Sequence, residues 1–111
     1  MKKVFRFNCD CGRQGELSGV FISTQEKVDF LIESKIEVYF GEVLGKHSEV
    51  YGRIEAKEIT LISDNPEVVK VIEDNKLENG HNPFDYMAIN IDDKYEDMYV
   101  SEIIEDMLRN K

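Results

Sequence analysis

The 111-residue chain carries 23 Asp/Glu against 14 Lys/Arg, a formal net charge of −9, with 41% hydrophobic and 33% charged residues. A chain this acidic, whose longest basic block is Lys2-Lys3, lacks the clustered cations that hold a phosphate backbone or an anionic membrane, and it is too apolar for disorder. No apolar run reaches the roughly 20 residues that span a bilayer, and charge interrupts Met1-Lys2-Lys3-Val4-Phe5-Arg6 where a signal peptide would stay apolar, so a cytoplasmic protein with no membrane or direct nucleic-acid contact is expected.

Length, the lack of internal repeats and the lack of a Gly/Ser/Pro-rich linker point to one domain over residues 1–111. Lys3 to Phe7 and Glu16 to Ile22 are short runs of strand formers around a connector holding Gly12 and Gly15, the pattern of a β-hairpin. Ser23-Thr24-Gln25-Glu26 then reads as a capping box, with Ser23 and Glu26 satisfying each other's free N–H groups. The helix it opens carries Val28, Leu31 and Ile32 on one face and ends near Ser34.

At Ile36 the apolar period changes from about 3.6 to 2. Ile36, Val38 and Phe40 alternate with Glu37 and Tyr39 in a half-buried strand, which pairs as a hairpin with Val50 to Ile54. Another strand, Glu58 to Ile62, follows a break at Ala56-Lys57, where the apolar phase shifts and a turn or bulge is required. Asn65-Pro66-Glu67 opens a second helix running to about Asn75, because proline suits its first position and an acid its positive end. Asn79 to Phe84 is loop chemistry, Met87, Ile89 and Ile91 alternate as a last strand, and apolar residues at helical spacing predict a final amphipathic helix from Tyr95 to Arg109. The order implies an α+β fold, with a mainly antiparallel sheet of about five or six strands and two or three helices in a single compact domain.

Three groups of residues are candidates for function. The first is the Gly-rich segment Gly41 to Glu49, in which Gly41 and Gly45 precede Lys46, His47, Ser48 and Glu49. It is not a P-loop: three residues rather than four separate its glycines, and His47 stands where Ser or Thr is needed. With His81 of the Asn79–Phe84 loop and Asp85 just after it, it could instead form a site for a small polar ligand, an anion held by backbone N–H groups and Lys46. The second group is Cys9 and Cys11, the only cysteines, which share a side on a strand. With His47 and His81 they would make up the four ligands of a zinc site, although zinc pairs usually stand two to four residues apart. No cofactor is otherwise called for.

The third group is defined by charge. Residues 1–60 hold nine Lys/Arg and ten Asp/Glu, whereas residues 61–111 hold five and thirteen, so the acidity belongs to the C-terminal half. Tyr95, Glu96, Tyr99, Glu102, Glu105 and Asp106 interleave aromatic anchors with acids, the composition of a face that docks on a basic protein surface. No complete catalytic constellation accompanies it. The expectation is therefore a non-enzymatic binding or regulatory protein, with a small-ligand or metal site as the alternative.

Overall fold

Two nine-residue strands, β1 (Lys2–Asp10) and β2 (Glu16–Thr24), form the expected hairpin, paired from Lys2 opposite Thr24 to Asp10 opposite Glu16. The coordinates are those of a computed structural model, which describes residues 1–45 and 49–110. Between the strands lies one 3-10 turn, Gly12–Gln14, tied down by the Asp10 carboxylate accepting from Gly12 N at 2.8 Å. Helix α1 (Gln25–Ser34) follows directly, but its N-cap is Thr24, whose hydroxyl accepts from Lys27 N. The expected Ser23–Glu26 capping box does not form because the helix starts at Gln25, which puts Thr24 and not Ser23 at the cap.

Strands β3 (Glu37–Gly41) and β4 (Val50–Arg53) make the second hairpin, with Tyr39 opposite Tyr51. The chain then leaves that sheet. A 3-10 turn at Ala56–Glu58, closed by the Glu58 carboxylate accepting from Glu55 N, sends β5 (Ile59–Ser63) to pair with β1 instead of β4. The phase shift noted at Ala56-Lys57 is this change of sheet. Helix α2 (Pro66–Asp74) is capped by Asn65, whose side chain accepts from Glu67 N at 2.9 Å. The two-residue strand β6 (Asn79–Gly80) extends the first sheet beyond β2, and β7 (Met87–Ile89) flanks β3.

The single sheet anticipated is therefore two antiparallel sheets, ordered β5-β1-β2-β6 and β4-β3-β7. The final helix, α3, also differs from expectation: it spans Val100–Arg109, not Tyr95–Arg109. Asp93–Tyr95 is a separate 3-10 turn capped by Asp92, and Asp97 has φ 64°, a left-handed residue that breaks any continuous helix.

Apolar side chains from both sheets, α1 and α3 close the main core. Phe5, Phe7, Leu17 and Phe21 come from the first hairpin, Val28 and Leu31 from α1, Val38 and Phe40 from β3, and Ile103 and Ile104 from α3. Ring contacts link the layers: Phe7 stacks on Phe40 and Phe21 packs on Phe84, both with centroids 5.7 Å apart. Full burial of each such ring contributes about 1.5–3 kcal/mol. Of the buried aliphatic side chains described, Val4 of β1 and Val69 of α2 lie outside this cluster, and α2 contacts β1. Among the described residues no helix is long and apolar enough to cross a membrane.

Candidate functional site

The alternation of β3 decides what the smaller sheet shows to solvent. Val38 and Phe40 are buried, so Glu37 and Tyr39 project from the opposite face. Residues directly opposite one another in an antiparallel ladder share a face. Tyr39 stands opposite Tyr51 on one side and Met87 on the other, and Met87 in turn forms an isolated antiparallel bridge with Tyr99. Tyr51, Tyr39, Met87 and Tyr99 therefore make one continuous row across the outer face, about 15 Å long at the usual strand spacing. The row is open: Tyr51 is 56% exposed, Met87 39% and Tyr99 48%.

Two left-handed residues build the end of this row. Asn90 (φ 54°) follows β7 and Asp97 precedes Tyr99. Asn and Asp tolerate this conformation better than branched residues do. The chain thus returns to lay Tyr99 beside Met87, held by Val100 N donating to Tyr86 O at 2.7 Å.

Acids surround the row. The Tyr39 hydroxyl donates to Glu49 Oε1 at 3.0 Å. That bond, followed by desolvation and the charges of Glu49 and Glu42, raises the phenol's pKa above its ordinary value. Glu37 stands opposite Arg53 and Ile89, and its carboxylate accepts from Asn90 Nδ2 at 2.7 Å. Glu96 and Asp97 are exposed in the approach to Tyr99, and Glu102 accepts from Tyr99 N at 3.1 Å.

The acidic face anticipated on the final helix is arranged differently. Tyr95 is only 6% exposed, a core residue rather than a surface anchor, because its 3-10 turn directs the ring inward and its hydroxyl donates to Asp106 Oδ2 at 2.8 Å. Asp106 also accepts from Asn110 Nδ2. Glu105 pairs with Lys27 of α1 at 3.1 Å. Of the six residues singled out there, Tyr99, Glu96 and Glu102 adjoin the exposed row, while Tyr95, Glu105 and Asp106 hold the helix to the rest of the molecule.

Cys9 and Cys11 open on a groove of about 450 Å³ between the end of β1 and β4, which Asp10, Glu49 and Arg53 also line. Their Sγ atoms are 3.8 Å apart, and both residues are half-buried. Burial first, then the Glu58 carboxylate and the neighbouring Cys11, push the Cys9 thiol far above the ordinary range. Among the described residues no group of three or more His, Cys, Asp or Glu is arranged to hold a metal ion.

Lys46, His47 and Ser48 lie outside the described residues. Of the other members of that candidate site, Gly41 closes β3 at an irregularity in its ladder, Gly45 is exposed, and Glu49 reaches both the thiol groove and Tyr39. His81 does not join them. Its Nδ1 is hydrogen-bonded with the Tyr86 hydroxyl and its backbone N donates to Ser18 O at 2.9 Å. Asp85 lines a separate polar hollow with Lys2, Glu73 and Glu78. The His81 loop serves as a clip on β2, where Gly80 faces Gly19.

Sequence reasoning missed Tyr39, Tyr51 and Met87. Alternation marked Tyr39 only as solvent-facing and left Tyr51 unassigned, and it grouped Met87 with Ile89 and Ile91 as the apolar phase of the last strand, whereas Met87 is 39% exposed. The register that aligns them is a property of three strands and a bridge together. No protein-family model, curated protein or solved structure matches the chain, so a functional reading rests on the residues themselves.

Proposed function

We propose that this is a non-enzymatic binding protein that docks a basic segment of another protein on the outer face of β4-β3-β7. The carrying observation is the exposed row Tyr51–Tyr39–Met87–Tyr99 with Glu37, Glu49, Glu96 and Glu102 around it. Tyr and Met are enriched in interface cores, and a contiguous apolar strip on a polar surface marks an interaction site. The charge chooses the partner. Arginine or lysine side chains can lie over tyrosine rings, each such contact contributing about 0.5–1 kcal/mol at an exposed site, while their charges meet the surrounding carboxylates. The same carboxylates and a net charge of −9 repel phosphate, which separates this face from aromatic sheets that stack nucleic-acid bases.

The test is an NMR titration of the labelled protein with a synthetic arginine-rich peptide, with a glutamate-rich peptide of equal length as control. Amide shifts concentrated on Tyr39, Tyr51, Met87 and Tyr99, seen only with the basic peptide and weakened by salt, support the reading. Shifts confined to α3 beyond Glu102, or none at all, overturn it.

A further inference from the structure

Two unpaired strand edges flank one groove. Among the described residues β4 pairs with β3 alone, and it ends the sheet β4-β3-β7. On the other wall, β5 pairs with β1 only from Val4 to Phe7, so Asn8, Cys9 and Asp10 have no ladder partner on that side among the described residues. The groove of about 450 Å³ lies between these stretches, and its lining takes in every residue from Glu49 to Ile54 and from Cys9 to Cys11. A strand that lines a hollow with one face contributes alternate residues, whereas one that lines it with its edge contributes consecutive ones. The groove therefore runs along the free edge of β4. It also has an unfilled place. Gly52 stands opposite buried Val38, in the inward phase of β4 between the buried Val50 and Ile54, yet a Cβ there would meet no atom within 4 Å. Glycine inside a strand often marks the close approach of another backbone.

We propose that the basic segment binds as an added β-strand on the free edge of β4, placing an apolar side chain in the gap at Gly52 and basic side chains at the alternating positions beside Tyr51. This deepens the docking reading above and rests on it. In such strand addition the main-chain hydrogen bonds supply affinity, and the side chains that alternate between faces supply specificity. Both halves of the pattern have a counterpart here. Toward the interior, Phe40, Val50 and Ile54 line the groove with the two cysteines. Toward solvent, Tyr51 opens the exposed row, and Glu49 accepts from the Tyr39 hydroxyl beside it. Asp10 and Glu49 give the lining two carboxylates against the single guanidinium of Arg53, which itself stands opposite Glu37. The charge therefore favours a segment that is basic on its outward phase. The partner is thus defined by form as well as charge: an extended stretch in which basic and aliphatic residues alternate.

The experiment uses the full reduced chain and short synthetic peptides: one alternating Arg and Val, one alternating Arg and Ser, and two forms of the Arg-Val peptide N-methylated either at the valines or at the arginines. Successive N–H groups of a strand point to opposite sides, so only one of the two methylated forms loses the donors that face β4. That form should bind at least about 10-fold more weakly than the parent, while the other keeps most of its affinity. The Arg-Val peptide should bind at least about 5-fold more tightly than the Arg-Ser peptide, because only valine fills the gap with apolar surface. It should also shift the amides of Tyr51 and Gly52 and slow alkylation of Cys9 and Cys11 by at least about 5-fold. Equal affinity of the two methylated forms, parity of the Arg-Val and Arg-Ser peptides, or thiols alkylated at an unchanged rate, each with the amides of the tyrosine row still shifting, would overturn strand addition and leave the docking reading in place. No shift along the row with any arginine peptide would overturn both.

Discussion

Met87 and Tyr99 face one another across an isolated antiparallel bridge, so the last member of the exposed row comes from the lead-in to α3 and not from a strand. The exposed row therefore depends on how the chain turns at Asn90 and Asp97 as much as on the sheet. Replacing exposed Tyr51 or Tyr99 by Ser should change folding stability by no more than about 0.5 kcal/mol. Each replacement should nonetheless weaken capture of an arginine-rich peptide by at least about 5-fold, or about 1 kcal/mol. Fluorescence anisotropy beside urea unfolding separates the two effects, and equal losses in both would mean that these tyrosines are structural.

Adjacent acids on α3 should behave unequally. Glu105 meets Lys27 in a half-exposed ion pair, so Glu105→Gln should cost less than about 1 kcal/mol. Asp106 accepts from the hydroxyl of the buried Tyr95, and Asp106→Ala would leave that donor without its partner, at about 1–3 kcal/mol. Urea denaturation of the two variants checks the order. Tyr95→Phe should recover part of the loss when combined with Asp106→Ala.

Gly19 and Gly80 should be the least replaceable glycines. A Cβ on Gly19 would lie 2.3 Å from His81 O, and one on Gly80 would lie 2.3 Å from Ser18 O, with φ 72° adding strain. Backbone on both sides leaves nothing soft to yield. Gly19→Ala or Gly80→Ala should cost more than about 4 kcal/mol or prevent folding, whereas Gly45→Ala, whose Cβ meets nothing within 4 Å, should stay within about 0.5 kcal/mol. Soluble yield and denaturation midpoints are the readouts.

Stability should fall on the alkaline side. Cys9, Tyr39, Tyr86 and Lys2 all have pKa values raised on folding: Cys9 and Tyr86 chiefly by burial, Tyr39 by its bond to Glu49, Lys2 by its bond to Glu73. Each binds its proton more tightly folded than unfolded. Its contribution is complete below the unfolded value, about 8.5 for Cys and about 10 for Tyr, and is lost as pH climbs toward the folded one. Cys9→Ser should remove the earliest part of that decline, while Tyr39→Phe, at an exposed site, should alter it little. Urea unfolding at a series of pH values from neutral upward tests this, and a flat profile would contradict it.

Local patterns were legible in the sequence because their causes are local. The alternation of Ile36, Val38 and Phe40, the Asn65-Pro66 helix start and the phase break at Ala56-Lys57 all reappear in the structure as β3, α2 and a 3-10 turn. What stayed hidden was partner choice. Nothing within Ile59–Ser63 says whether it pairs with β4 or β1, and so one sheet was expected where the described residues form two. Tyr95 was misjudged for a related reason: flanked by acids it resembles a surface anchor, but one 3-10 turn rotates it into the core. The tyrosine row needed the register of separate strands, which no single segment contains.

The clip of Gly80 against Gly19 also indicates what a distant relative of this chain must keep. Exposed tyrosines on an open sheet and half-buried thiols beside a groove can each be replaced without moving the backbone. Two backbones in contact admit no substitute for hydrogen at the Cα. A glycine in the middle of the second strand, matched with an Asn-Gly-His-Asn-Pro-Phe stretch whose Pro83 and Phe84 are buried, is therefore the trait most resistant to drift. Kinship to this fold should be sought in that pair before it is sought in the acidity.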